Sequence, residues 1–156
     1  MTSEPATSER FAGAKVCSSA TVNSWREDAW RPIVGLMSDL LPAGAKISPA
    51  TARNRHPILE VLKPRLPTAG LVLEIAAGAG EHAVYNAAAF PGLQWQPTDA
   101  NADALASIAA WRDHVALPNL LPPLQLDACD PDAWPIYRAD AIVTINMIHI
   151  SSVGGD

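Results

Sequence analysis

The chain has 156 residues, 49% of them hydrophobic and 17% charged, with a formal net charge of -5. That length suits one domain with a real core rather than two large ones, and the apolar share excludes a wholly disordered chain. The acidic balance argues against a face that grips nucleic-acid backbone, so no general nucleic-acid binding is expected. Cys17 and Cys129 form no CxxC pair, suggest neither a disulfide framework nor a metal site, and point to a reducing, cytoplasmic setting. No apolar run nears the roughly 20 residues of a membrane span. Residues 1–22 are Ser/Thr-rich but carry Glu4 and Glu9 and lack the apolar stretch of a signal peptide; they read as a disordered tail.

Residues 23–47 read as an N-terminal helical extension. Ser24-x-x-Glu27 is a capping box, and Trp30, Ile33, Met37, Leu40 and Leu41 follow at helical spacing until Pro42 and Gly44 end the segment. A second helix is predicted to start near Pro57, with Ile58, Leu59, Val61 and Leu62 on one face and Pro64 as its breaker. From residue 70 the pattern changes. LVLEIA reads as a strand, GEHAVYNAAAF as a helix, LQWQPTD as a strand and ADALASIAAWRDHV as a helix. LPPLQLD is a third strand, DPDAWPIYRA an irregular connection, and DAIVTINMI a fourth strand, apolar on both faces. The alternation predicts an α/β domain over residues 48–156: a Rossmann-like parallel sheet of about four strands with flanking helices.

Open α/β sheets bind ligands beyond the carboxyl ends of their strands. Here those ends carry Glu74 with Gly78 and Gly80, then Asp99, Asp127 and Asn146. Gly78-x-Gly80-x-x-Ala83 fits the dinucleotide fingerprint, and Asp99 follows Gly80 by 19 residues, where a ribose-binding acid belongs. Glu74 and Glu81 oppose the diphosphate reading, because a pyrophosphate needs a positive field at the helix start. A ligand carrying a sulfonium and an ammonium would be attracted instead. No Gly-Lys-Ser/Thr follows, so a P-loop is excluded.

Glu74-x-Ala76-x-Gly78-x-Gly80 resembles motif I of class I S-adenosylmethionine-dependent methyltransferases, with alanine in the first glycine place. Four ordered blocks carry the resemblance further, to a family of uncharacterised methyltransferase-like proteins. They are Ala52-Arg53-Asn54-x-x-Pro57-Ile58-Leu59, Leu73-Glu74-x-Ala76-x-Gly78-x-Gly80-x-His82, Trp95-Gln96-Pro97-x-Asp99 and Ile145-Asn146-Met147-Ile148-His149. The resemblance implies a site for S-adenosylmethionine made by Glu74, Ala76, Gly78, Gly80, His82, Asp99, Asp127 and Asn54. Asp99 would accept from both ribose hydroxyls and Asp127 from the adenine amino group, while Asn146 and His149 would face an unidentified methyl acceptor.

Structural roles compete at several of these positions. Asp99 could cap the helix that follows it, Asp127 suits a loop, and Arg53 and Asn54 could cap the Pro57 helix. An NAD-dependent oxidoreductase and an inactive binding domain are the rival readings. By the resemblance, relatives continue beyond Ile150 with more strands. The expectation is therefore an incomplete methyltransferase fold, inactive as it stands, whose fourth strand offers an exposed edge for self-association.

Overall fold

A computed structural model describes residues 41–145. The tail and most of the helical extension expected before them, and Asn146 and His149, lie outside the described residues. The elements are α1 (Pro49–Leu62), β1 (Gly70–Ile75), α2 (Glu81–Ala89), β2 (Leu93–Asp99), α3 (Ala102–Val115), β3 (Leu124–Gln125), a 3-10 turn (Pro131–Ala133) and β4 (Ala141–Thr144). All strand pairs are parallel, and the sheet order is β3-β2-β1-β4. The fold is α/β, with the Rossmann-like arrangement the alternating pattern predicts.

One face of the sheet carries the main core. Val72 of β1, Trp95 of β2, and Ala141 and Val143 of β4 pack there with Leu59 of α1, Ala83, Val84 and Ala87 of α2, and Trp111 of α3. Every residue of α2 is buried, which its alanine-rich composition allows at close helix–sheet distance. The opposite face buries Leu73, Ile75, Leu126 and Ala139 beneath Trp134 and Ile136 of the irregular connection. Ala45 belongs to the main core, so the segment just before α1 packs with the domain although the sequence reading placed it in the extension.

Three elements differ from the sequence reading. First, α1 begins at Pro49, not near Pro57, and Pro57 sits inside it. Ser48-Pro49 is a good helix start, since the ring presets a helical φ and its missing N–H would be unpaired there anyway; Pro57 removes one internal bond without ending the helix. Second, β3 has two residues rather than seven. Pro122 and Pro123 cannot donate to a ladder, and Gln96 Nε2 fills the gap by donating to Pro122 O at 2.6 Å and Pro97 O at 3.1 Å. Third, β4 alternates, with Ala141 and Val143 buried and Ile142 exposed, so it is not apolar-buried on both faces within the described residues.

Asn119 fixes the turn that delivers β2. Its Nδ2 donates to the carbonyls of Ala87 (2.8 Å), Phe90 (3.2 Å) and Leu93 (2.9 Å), tying the end of α2 to the start of β2. Asn119→Ala leaves these part-buried carbonyls without that donor and is expected to lower stability by about 1–3 kcal/mol. Urea denaturation checks this, and a loss under about 0.5 kcal/mol would contradict the role.

Candidate ligand cavity at the strand ends

The chain leaving β1 makes an unusual turn. Ala76 has φ 56°, Gly78 58° and Gly80 91°, three left-handed residues in five. Glycine adopts this region freely, whereas alanine does so at a cost, and an outlier of this kind favours a functional position. A Cβ on Gly80 would come within 3.0 Å of the Ile108 backbone, so glycine is required there for packing. A Cβ on Gly78 would meet nothing within 4 Å: that residue faces open space.

Hydrogen bonds of ordinary length hold the turn to β2 and α3. Ala77 N donates to Thr98 O (2.9 Å), and Gly78 N donates to Asp99 Oδ2 (2.9 Å). The other Asp99 oxygen accepts from Asn101 N at 2.9 Å. Asp99 is therefore not the N-cap of α3. Asn101 is, its side chain accepting from Asp103 N. From the other side, Lys46 N donates to Ser107 Oγ (2.8 Å), which donates to Ala79 O (2.7 Å). Residues 45–48 thus form a strap beside the glycine turn, 61 residues away in sequence from the serine that anchors it.

These pieces line a partly open cavity of about 710 Å³ at the carboxyl ends of β1, β2 and β3. Ala76, Gly78, Asp99 and Asp127 line it, as the sequence led us to expect. Asp127 spends one oxygen on Cys129 N in a local turn, at 2.8 Å. Lys46, Ile47, Asn101, Ala104, Leu126 and Cys129 also line it, and sequence reasoning missed them. Only the Ser/Thr/Asn/Asp-rich loops after β2 and β3 hinted at Asn101 and Cys129. Nothing local marks Lys46 and Ile47.

Four expected site residues stand elsewhere. Glu74 shares a face of β1 with Val72, beneath the helices, and its Oε2 accepts from Trp95 Nε1 at 2.6 Å. It is 1% exposed, and burial pushes its carboxyl up to about 7 against the opposing effect of the Trp95 N–H. Gly80 packs on α3. His82 and Asn54 belong to α2 and α1 and do not line the cavity. Glu81 is also absent from the wall. Its carboxylate accepts from Ser48 N, and burial raises its pKa while that N–H and the Arg55 charge act the other way. The acidic character of the cavity comes from Asp99 and Asp127 instead. No group of three or more His, Cys, Asp or Glu side chains that could hold a metal occurs among the described residues. No helix there is long and apolar enough to cross a membrane.

The buried acid and the buried imidazole impose opposite pH dependences. Glu74 holds its proton in the fold after the unfolded chain has lost it, so its contribution to stability falls as pH rises from about 4.5 to about 7. His82, pushed down to about 4 by burial and then by Arg55, stays neutral where the unfolded chain is protonated. Its contribution is lost as pH falls from about 6.5 to about 4. Glu74→Gln keeps an acceptor for Trp95 and removes the first effect. The variant is expected to be more stable than the parent at pH 8, by on the order of 1–3 kcal/mol, with the gap closing by pH 4.5. Urea midpoints across pH 4–8 measure it. A gap that is constant with pH would show that Glu74 does not titrate this way.

Residues 45–154 match the model of a family described as "Protein of unknown function (DUF938)". No solved structure matches the chain. The family match spans well over half of the 156 residues, and the chain belongs to this family of proteins of unknown function.

Proposed function

We propose that the cavity binds S-adenosylmethionine and that the protein is a methyltransferase-like protein with an unidentified methyl acceptor. The observation that carries this reading is the placement of Asp99 and Asp127 at successive strand ends around a cavity that also exposes Gly78. Its volume of about 710 Å³ lies in the ordinary range for sites that enclose a whole small ligand, roughly 300–1,000 Å³.

Each Asp99 oxygen accepts one backbone N–H and keeps a further lone pair, so the carboxylate can take two ribose hydroxyls without releasing the turn. Asp127 has one oxygen outside its local turn for an exocyclic amino group. Ile47, Ala104 and Leu126 offer apolar surface to a purine. Gly78 lets a ligand approach the backbone where a side chain would intervene. When bound, S-adenosylmethionine supplies an electrophilic methyl group on a sulfonium. The protein's part is to fix the cofactor, keep the turn rigid and exclude water, since methyl transfer depends chiefly on alignment.

The sulfonium preference rests on charge. The cavity wall holds two carboxylates and one lysine, and Lys46 lies 3.7 Å from Asp103. A diphosphate would meet more negative than positive charge there. NAD remains the specific rival because the G-x-G-x-x-A spacing and Asp99 suit its adenosine half equally.

Calorimetry distinguishes them. S-adenosylhomocysteine is expected to bind and NAD not to; the reverse result would overturn the assignment. Asp99→Ala removes charge-assisted bonds worth about 1.5–3 kcal/mol, a roughly ten- to hundred-fold loss of affinity for the nucleoside. Unchanged affinity in a folded variant would remove Asp99 from the ribose role.

A further inference from the structure

The strongest unexplained chemistry lies outside the cavity, on the edge of α2 that faces α1. His82 and Asn86 stand one helical turn apart, 8% and 0% exposed. Among the described residues, both ring nitrogens of His82 and both polar atoms of the Asn86 carboxamide lack a hydrogen-bond partner. Asn54 of α1 adds a buried Oδ1 with none. Buried polar atoms in folded proteins are almost always paired, so these five call for a partner beyond the described residues.

The neighbouring charge says what kind. Arg55 follows Asn54 in α1, and its guanidinium rests over the Tyr85 ring, 5.2 Å from the centroid. Its field reaches His82 and Glu81. Among the described residues no carboxylate forms an ion pair with it; Glu81 accepts a hydrogen bond from Ser48 N instead. A half-buried guanidinium with open N–H groups recognises a carboxylate in a planar, two-pronged way. The imidazole is neutral and offers one donor and one acceptor, and the carboxamide offers both kinds. One cation matches one negative charge, and donor–acceptor pairs match a hydroxyl or amino group next to it.

We propose that Arg55, His82 and Asn86, with Asn54, form a second ligand site between α1 and α2 that takes a small carboxylate bearing an adjacent hydroxyl or amino group. Arg55, only partly buried, is its solvent-facing side, and Asn54 Oδ1, His82 and Asn86 are its buried floor. None of the four lines the strand-end cavity, so the site goes beyond the cofactor reading and does not depend on what that cavity holds.

Glycolate, which carries a hydroxyl beside a single carboxylate, is the probe. Titrated into the full chain and followed by NMR, it is expected to shift the His82 ring and Asn86 carboxamide signals saturably, leaving the Gly78 amide unmoved. Ethylene glycol, without the charge, and inorganic phosphate, with more of it, are expected to bind at least ten-fold more weakly. Arg55→Ala is expected to weaken glycolate at least ten-fold. Arg55→Lys, which keeps the stem and charge but not the fork, is expected to weaken it by a smaller factor and serves if the alanine variant fails to fold. The proposal is overturned if no saturable shift appears, if both Arg55 variants bind glycolate as the parent does, if phosphate binds equally well, or if the Gly78 amide moves in place of His82. Binding of S-adenosylhomocysteine, followed in the same spectra at Gly78, tests the cavity separately.

Discussion

The Asp99 carboxylate is the constraint on which the rest of the site depends. It accepts from Gly78 N with one oxygen and from Asn101 N with the other, joining the loop after β1 to the start of α3. The loop needs such a partner, because Ala76, Gly78 and Gly80 hold left-handed backbone and only Gly80, through Val84 N on its carbonyl, joins the helix ladder. A charged acceptor binds backbone N–H groups about twice as strongly as a neutral one. With Thr98 O on Ala77 and Ser107 Oγ on Ala79, the loop is held from β2 and α3 at once. Gly78 shares in this restraint through its N–H, while its Cα side faces open space. The same carboxylate borders the cavity, so the group that shapes the pocket also offers its remaining lone pairs to whatever enters it.

Beneath this turn, polar groups are buried more densely than the core requires. Glu74 lies under the helices with Trp95 as its hydrogen-bond partner, and Thr98 Oγ1 donates to its carbonyl at 2.8 Å. Those two bonds join the ends of β1 and β2 just before the turn begins. A buried carboxyl is destabilising as an anion and tolerable as a neutral acid, so its side-chain bond to Trp95 restrains β2 against β1 while leaving Glu74 sensitive to pH. We read Glu74 as a strut of the turn rather than a ligand contact. His82 and Asn86 are different in kind. Among the described residues their side chains have no hydrogen-bond partner.

Much of the fold was legible because alternation and helix capping are local. β2 at Leu93–Asp99 and α3 at Ala102–Val115 have the bounds their apolar spacing predicts, and β1 and α2 differ from prediction by one residue at each end. What failed was proline chemistry. Pro57 reads as a boundary but is accommodated within α1, while Pro122 and Pro123 read as strand residues but break β3. In the site, Gly78, Ala76, Asp99 and Asp127 were legible because strand-end position is enough to place them. Glu74 was misplaced because the pleat alternates: an acid sharing a face with Val72 looks under the helices, not out over the strand end. Lys46 and Ile47 were illegible because their place depends on a bond to Ser107, which no local pattern encodes.

The most direct test of the account is a crystal structure of the full chain grown with S-adenosylhomocysteine. The account predicts the nucleoside in the cavity at the ends of β1, β2 and β3, with both ribose hydroxyls on the Asp99 carboxylate while Gly78 N–H still donates to it. A ligand bound elsewhere, or one in the cavity that leaves Asp99 untouched, would contradict it.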